Sequence, residues 1–206
     1  MRTSKVVLVV GLAPLLVGCN PLVPSLQPLF TKADVDFDSA LVGTFTNKEE
    51  DLTFAFQKLG TNAYQLTVTE QEKDRQLTAG FVVYLVRLRG FWFLDFYPDR
   101  PEVGGQFYQL HLIRPHTFAR VWIQGDVVRL GLLDSDWLKK KMDEKSVAIE
   151  HQQTEDGILL TASTTELQDL MFRYANEEEA FPDPLKLHRV KECLEQEGCS
   201  RAERGQ

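Results

Sequence analysis

Through the middle of the chain, hydrophobic and polar residues alternate with a period of two. In "LTFAFQKL", Leu52 to Leu59, the residues Leu52, Phe54 and Phe56 share one face. In "AYQLTVT", Ala63 to Thr69, the same holds for Tyr64, Leu66 and Val68. This alternation marks half-buried antiparallel strands. The turn between the two contains Gly60, Thr61 and Asn62. Further strands are predicted at "LVGTFTN" (Leu41 to Asn47), "GFVVYLVRL" (Gly80 to Leu88), "FWFLDFY" (Phe91 to Tyr97) and "QFYQLHLI" (Gln106 to Ile113). "TFARVWIQ" (Thr117 to Gln124) and "VVRLGLL" (Val127 to Leu133) complete the set, joined by a two-residue turn at Gly125-Asp126. Eight strands between Leu41 and Leu133 leave no room for crossover helices. Parallel sheets are excluded, and an antiparallel barrel or sandwich is favoured.

The period then changes. "DSDWLKKKMDEK", Asp134 to Lys145, opens with acids and carries Trp137, Leu138 and Met142. It reads as a helix capped by Asp134 or Ser135, with early acids matching the helix dipole. "VAIE" and "ILLTA" suggest one more hairpin. "STTELQDLMFRYANEEEA" places Leu167, Leu170, Met171 and Tyr174 at helical spacing behind a Ser163 or Thr164 cap. The expected fold is mainly β with late helices: a barrel-like antiparallel sheet of about eight strands, with two helices packed against it. Residues 37–181 form the single β-rich domain in this reading, and 182–206 a polar tail.

The N-terminus carries an address. Arg2 and Lys5 precede "VVLVVGLAPLLVG", an apolar run too short to cross a bilayer and of the length of a signal-peptide core. Its end, Leu16-Val17-Gly18-Cys19, resembles the bacterial lipobox. In lipoproteins of that kind the cysteine receives diacylglycerol on sulfur, the preceding peptide is removed, and further palmitate-type acyl chains follow. The resemblance implies a signal peptide at 1–18, a lipidated Cys19 and a proline-bearing tether at 19–36. Asn20, where an aspartate would retain the protein at the inner membrane, points to the periplasmic face of an outer membrane in a cell that has one. Several acyl chains give stable anchoring where one does not.

Composition narrows the partners. Removing residues 1–18 takes away Arg2, Lys5 and no acid, so the formal charge moves from −7 to −9. An acidic surface is unsuited to phosphate backbones, and nucleic acid is excluded as a partner. Once Cys19 is lipidated, Cys193 and Cys199 remain as a pair. An oxidising compartment favours their disulfide; two free thiols are the alternative.

Little in the sequence points to catalysis. His111 and His116 have no neighbouring cysteine or carboxylate in the sequence, so no metal or other cofactor is expected. No nucleophile elbow occurs. Asp95, Asp99, Glu102, Asp134 and Asp136 read as turn and cap residues rather than an acid–base pair. Phe91, Trp92, Phe93 and Phe96 form the densest aromatic cluster, either core or the lining of an apolar pocket.

Two resemblances complete the reading. Gly43-Thr44-Phe45 on the first strand resembles the Gly-X-Trp signature of lipocalins, with phenylalanine for tryptophan. That family implies an eight-stranded up-and-down barrel whose closed end is plugged by the aromatic beneath a basic side chain, here assigned to Arg129. "LVGTF", "FLDFYP", "HTFARVWIQGD", "LLDSDWL", "ILLTASTTELQDL" and "EEEAFPDP" together resemble a group of uncharacterised bacterial lipoproteins. That group implies a lipid-anchored envelope protein and no activity. Two functions are carried forward: a non-enzymatic interaction or structural module with an envelope protein partner, and a lipocalin-like carrier of an apolar small molecule. A filled barrel favours the first and a hollow one the second.

Overall fold

Strand alternation produces a closed antiparallel barrel in the computed structural model, which describes residues 22–101 and 104–191. The chain runs β1 (Val35–Asp36), a 3-10 turn (Ser39–Leu41), β2 (Gly43–Asn47), β3 (Leu52–Leu59), β4 (Ala63–Glu72), β5 (Arg75–Leu88) and β6 (Phe91–Pro98). A short helix α1 (Gln106–Gln109) precedes β7 (Thr117–Gln124) and β8 (Val127–Leu132). Then come α2 (Ser135–Asp143), a hairpin of β9 (His151–Thr154) and β10 (Gly157–Leu160), α3 (Thr164–Arg173) and β11 (Leu185–Arg189). Strands β2 to β8 pair in sequence order, and β11 closes the ring between β8 and β2.

Two expectations are corrected by that closure. Gln106 to Ile113 is not a strand: it holds α1 and a loop, and β6 pairs directly with β7. The eighth strand comes instead from the supposed tail, where Leu187 is fully buried. Loss of that segment leaves seven strands, so parity demands another. An antiparallel ring closes only with an even number of strands. Pro101 and Pro115 bracket the lost strand, while Leu185 and Leu187 alternate inward in the gained one.

The barrel interior is solid. Phe45, Phe56, Tyr64, Leu66, Leu85 and Leu94 are all buried in one cluster that also takes in Val83, Val121, Val128 and Leu187. Phe56 meets Phe45 and Tyr64 edge-on, with ring centroids 6.1 and 6.2 Å apart. Large aromatics at these positions fill the space a ligand would need.

The 3-10 turn closes one barrel end. Asp38 caps it through Oδ1 to the Ala40 N–H. The Tyr64 hydroxyl accepts from the Asp38 N–H at 2.7 Å and donates to the Asp38 carbonyl at 3.0 Å. Arg189 stands over the Phe45 ring at 4.5 Å and donates to the Ala40 and Val42 carbonyls. The basic side chain above the plug is therefore Arg189, the register partner of Phe45, and not Arg129. Gly43 has φ +131, and a Cβ there would collide with the Arg189 guanidinium. The glycine is thus required both by its backbone conformation and by the cation beside it.

A second layer covers the outside of β5, β6 and β7. Asp134 caps α2 through the Trp137 N–H at 2.6 Å, and Ser163 and Glu166 form a capping box on α3. The two helices and the hairpin bury Leu138, Leu160, Leu167 and Met171 against Val86, Phe93 and Phe118. The first strand of the hairpin sits four residues later than predicted and the second begins one earlier, at Gly157, which supplies the positive φ the turn needs.

Residues 22–36 are not a loose tether where described. Val23 and Leu29 are buried in the outer layer. Ser25 bridges His116 of the barrel and Leu160 of the hairpin. Thr164 and Gln168 of α3 donate to the carbonyls of Pro28 and Leu29. The prolines remove helix and sheet as options, and side-chain bonds hold the strap in their place.

Candidate functional site

The predicted aromatic pocket is split by the pleat. Successive side chains of β6 point to opposite faces. Trp92 and Phe96 join the barrel interior, whereas Phe91 and Phe93 pack in the outer layer. The four therefore do not line a common cavity.

The outward face holds a feature the sequence reading missed. Arg120, 7% exposed, lies among Phe91, Phe93 and Trp122, its guanidinium 4.9, 5.3 and 5.0 Å from the ring centres. It donates to the carbonyls of Trp92 at 2.6 Å and Val121 at 3.0 Å. Its Nε has no hydrogen-bond partner. Burial pulls its pKa down to about 10. Arg129 approaches Trp122 as well, at 5.1 Å, and its buried Nε is likewise unpartnered. The signal available in sequence was an arginine inside "TFARVWIQ" at an outward position of a strand that is apolar on both faces.

Beside these arginines lies an open cleft of about 640 Å³, outside the barrel, between Trp122 and Arg129 on one side and residues 175–184 on the other. Glu177 is fixed at its edge by Trp137 Nε1 at 3.0 Å and Lys141 Nζ at 2.9 Å. Those donors, Lys141 first, hold its carboxyl below the usual range. The cleft thus carries an aromatic wall, one guanidinium and the acids Glu178, Glu179 and Asp183.

Asp95, Ser25 and His116 also come together. The Asp95 carboxylate is fully buried, 2.6 Å from His116 Nδ1, and accepts from the Leu29 N–H at 2.7 Å. The Tyr97 ring packs against His116, tilted by 30° with ring centroids 4.7 Å apart. The Ser25 hydroxyl donates to the Gln27 carbonyl at 2.8 Å rather than to the imidazole. The group consequently works as a clasp: its hydrogen bonds fasten the strap to β6 and to the start of β7. Asp95 is not a turn or cap residue as expected. A carboxylate within "FWFLDFY" must find partners once buried, and it does so in a segment some seventy positions away.

The remaining candidates are dispersed. Asp99 accepts from Gln65 Nε2, and His111 Nδ1 bonds the Phe107 carbonyl. Among the described residues no group of three or more His, Cys, Asp or Glu is placed to hold a metal ion. Cys19, Cys193, Cys199 and Glu102 lie outside the described residues. No family model, curated protein or solved structure matches the chain.

Proposed function

We propose that the protein is a lipid-anchored bacterial envelope module, held through Cys19, that acts by binding an envelope protein with its outer surface and catalyses no reaction. Its barrel is lipocalin-like in strand order and in the plug of Phe45 beneath Arg189, but it is used as a scaffold. The observation that carries this reading is the filled interior: Phe45, Phe56, Tyr64, Leu66, Leu85 and Leu94 occupy the volume a carried molecule would need. The lipobox resemblance supplies the location, on the periplasmic face of the outer membrane in a cell that has one. The outer surface supplies relief, through the cleft beside Trp122 and Arg129.

Native mass spectrometry of the protein extracted from its own membrane tests the proposal. The expected spectrum shows the acylated chain without a stoichiometric small molecule. One apolar molecule bound per chain, displaced when Leu66 or Leu85 is enlarged to Phe, would overturn it in favour of the carrier reading.

A further inference from the structure

We infer that the loop Gln106 to Ile113 is a membrane-docking face, seated in the headgroup–acyl boundary of the bilayer to which Cys19 is attached. The inference rests on the lipid-anchor reading and adds an orientation to it. Phe107, Leu110 and Ile113 are 79%, 80% and 73% exposed, with Tyr108 at 56%. These are the most exposed large apolar side chains among the described residues. A loop with four such residues ordinarily folds some of them inward. This one is held open from below. Arg114 donates to the Pro98 carbonyl at 3.1 Å and stands over Tyr97, which packs against His116. His111 is tied back to the Phe107 carbonyl. The apolar side chains are thereby presented outward on a braced base, and contiguous exposed apolar patches mark interaction surfaces.

Three observations select a bilayer as the occupant. First, the chain ties the loop to the anchor. Ser25 is bonded to His116 through both backbone pairs at 2.8 Å, and Ile113 lies three residues before His116. Six residues separate Cys19 from Ser25, a reach of at most about 21 Å. Second, Gln106 to Ile113 contains no Asp, Glu, Lys or Arg, although the chain is otherwise acidic. A surface of net charge −9 is repelled by anionic headgroups, so a neutral face is the one that approaches. Third, Leu22 and Leu26, on either side of Ser25 in the strap that follows Cys19 in the sequence, are also exposed and add apolar side chains there. Aromatic and leucine side chains on a short segment suit the interfacial zone.

The test uses the full acylated protein in phosphatidylcholine vesicles, with and without brominated acyl chains. Phe107→Trp and, separately, Ile113→Trp introduce a fluorophore at exposed positions where folding is not at stake. The expected result is that brominated lipid quenches the added emission in both variants, while the emission of the parent's own tryptophans is unchanged. A Phe107→Ser/Leu110→Ser protein that begins at Asn20, without the signal run and the lipidated cysteine, should bind vesicles about tenfold more weakly than the unsubstituted protein with the same start. Unquenched tryptophans on a vesicle-bound, acylated protein would overturn the docking face and leave the anchor intact. Absence of acyl chains by peptide mass would overturn the anchor reading, and quenching then decides the loop by itself. Concentration-dependent dimers that vanish in the double serine variant, with no quenching, would assign the face to a second copy instead.

Discussion

Replacing Arg189 by methionine isolates what closes the barrel. Methionine keeps an apolar stem over Phe45 and removes the guanidinium. Three interactions go with it: the donation to the Val42 carbonyl at 2.8 Å, the donation to Ala40, and the cation over the Phe45 ring at 4.5 Å. Hydrogen bonds from a charged donor contribute about 1.5–3 kcal/mol each when desolvated. The side chain here keeps 25% of its surface in water, so about 1 kcal/mol apiece is the better figure. The ring contact adds about 1 kcal/mol. Arg189→Met should therefore cost about 3 kcal/mol, read as a lower urea midpoint with an unchanged slope. The 3.6 Å pair with Asp126, itself 59% exposed, contributes little, so Asp126→Asn should shift stability by less than about 0.5 kcal/mol. A double-mutant cycle with Phe45→Leu should return a coupling of about 1 kcal/mol, the part that needs the aromatic face. A loss below about 1 kcal/mol, or a coupling of zero, would refute the assignment of Arg189 as the clamp over the plug.

Three further outcomes follow from other contacts. Asp95→Ala strands His116 and the Leu29 N–H and should cost about 3 kcal/mol while opening residues 22–30 to protease; an unchanged midpoint and digestion pattern would show that the clasp bears no load. Tyr64→Phe removes the bonds to Asp38 and should cost about 1–2 kcal/mol at pH 8. Burial raises the Tyr64 pKa to about 12, so the folded state holds that proton more tightly than the unfolded chain. The contribution of Tyr64 is complete below the unfolded value near 10 and is lost as pH rises toward about 12. The wild-type advantage should therefore shrink and reverse across that window, and a gap that stays constant with pH would contradict it. Cys19→Ala should abolish acylation and leave an unprocessed or misprocessed precursor, and fatty acid found in the variant would remove the anchor from the proposal.

The strands whose sequences alternate cleanly were legible. Leu52 to Leu59 and the start of the strand at Ala63 lie where the pattern puts them, because burial of one face sets both type and register. The helices were legible from their caps, Asp134 and Ser163, which are local chemistry. The closing strand was not. "LKLHR" offers two leucines just after Pro184, a weaker pattern than "QFYQLHLI", which the fold leaves as a short helix and a loop. Only ring closure distinguishes them, and closure is a property of all eight strands together. The strap was hidden for a similar reason. Pro21, Pro24 and Pro28 suggest a spacer, and what orders the segment is Asp95, Thr164 and Gln168, each far away along the chain. Of the sites, the aromatic cluster was visible but not its division, since a run of Phe-Trp-Phe carries no marker of which face is inside.

That division explains why the barrel is sealed and the outside elaborate. Strands β5 to β7 are apolar on both faces, so a bare barrel would expose Val86, Phe93, Phe118 and Trp122. Two helices, a hairpin and the strap cover them, and this cover lies between β8 and β11 or ahead of β1 in the chain. Covering the wall traps Arg120 among three aromatic rings with carbonyl acceptors and no carboxylate. A charge buried in that way weakens the fold relative to an apolar side chain of similar volume. The same side chain would add stability as methionine, so its presence is not accounted for by packing. It supports Trp122 from behind, and Trp122 is the wall of the open cleft that Arg129 also lines. The interior is filled by packed side chains, whereas the outer layer accepts an energetic cost next to a recess lined by Trp122 and Arg129. That balance supports the proposal that a partner is bound by the outer surface.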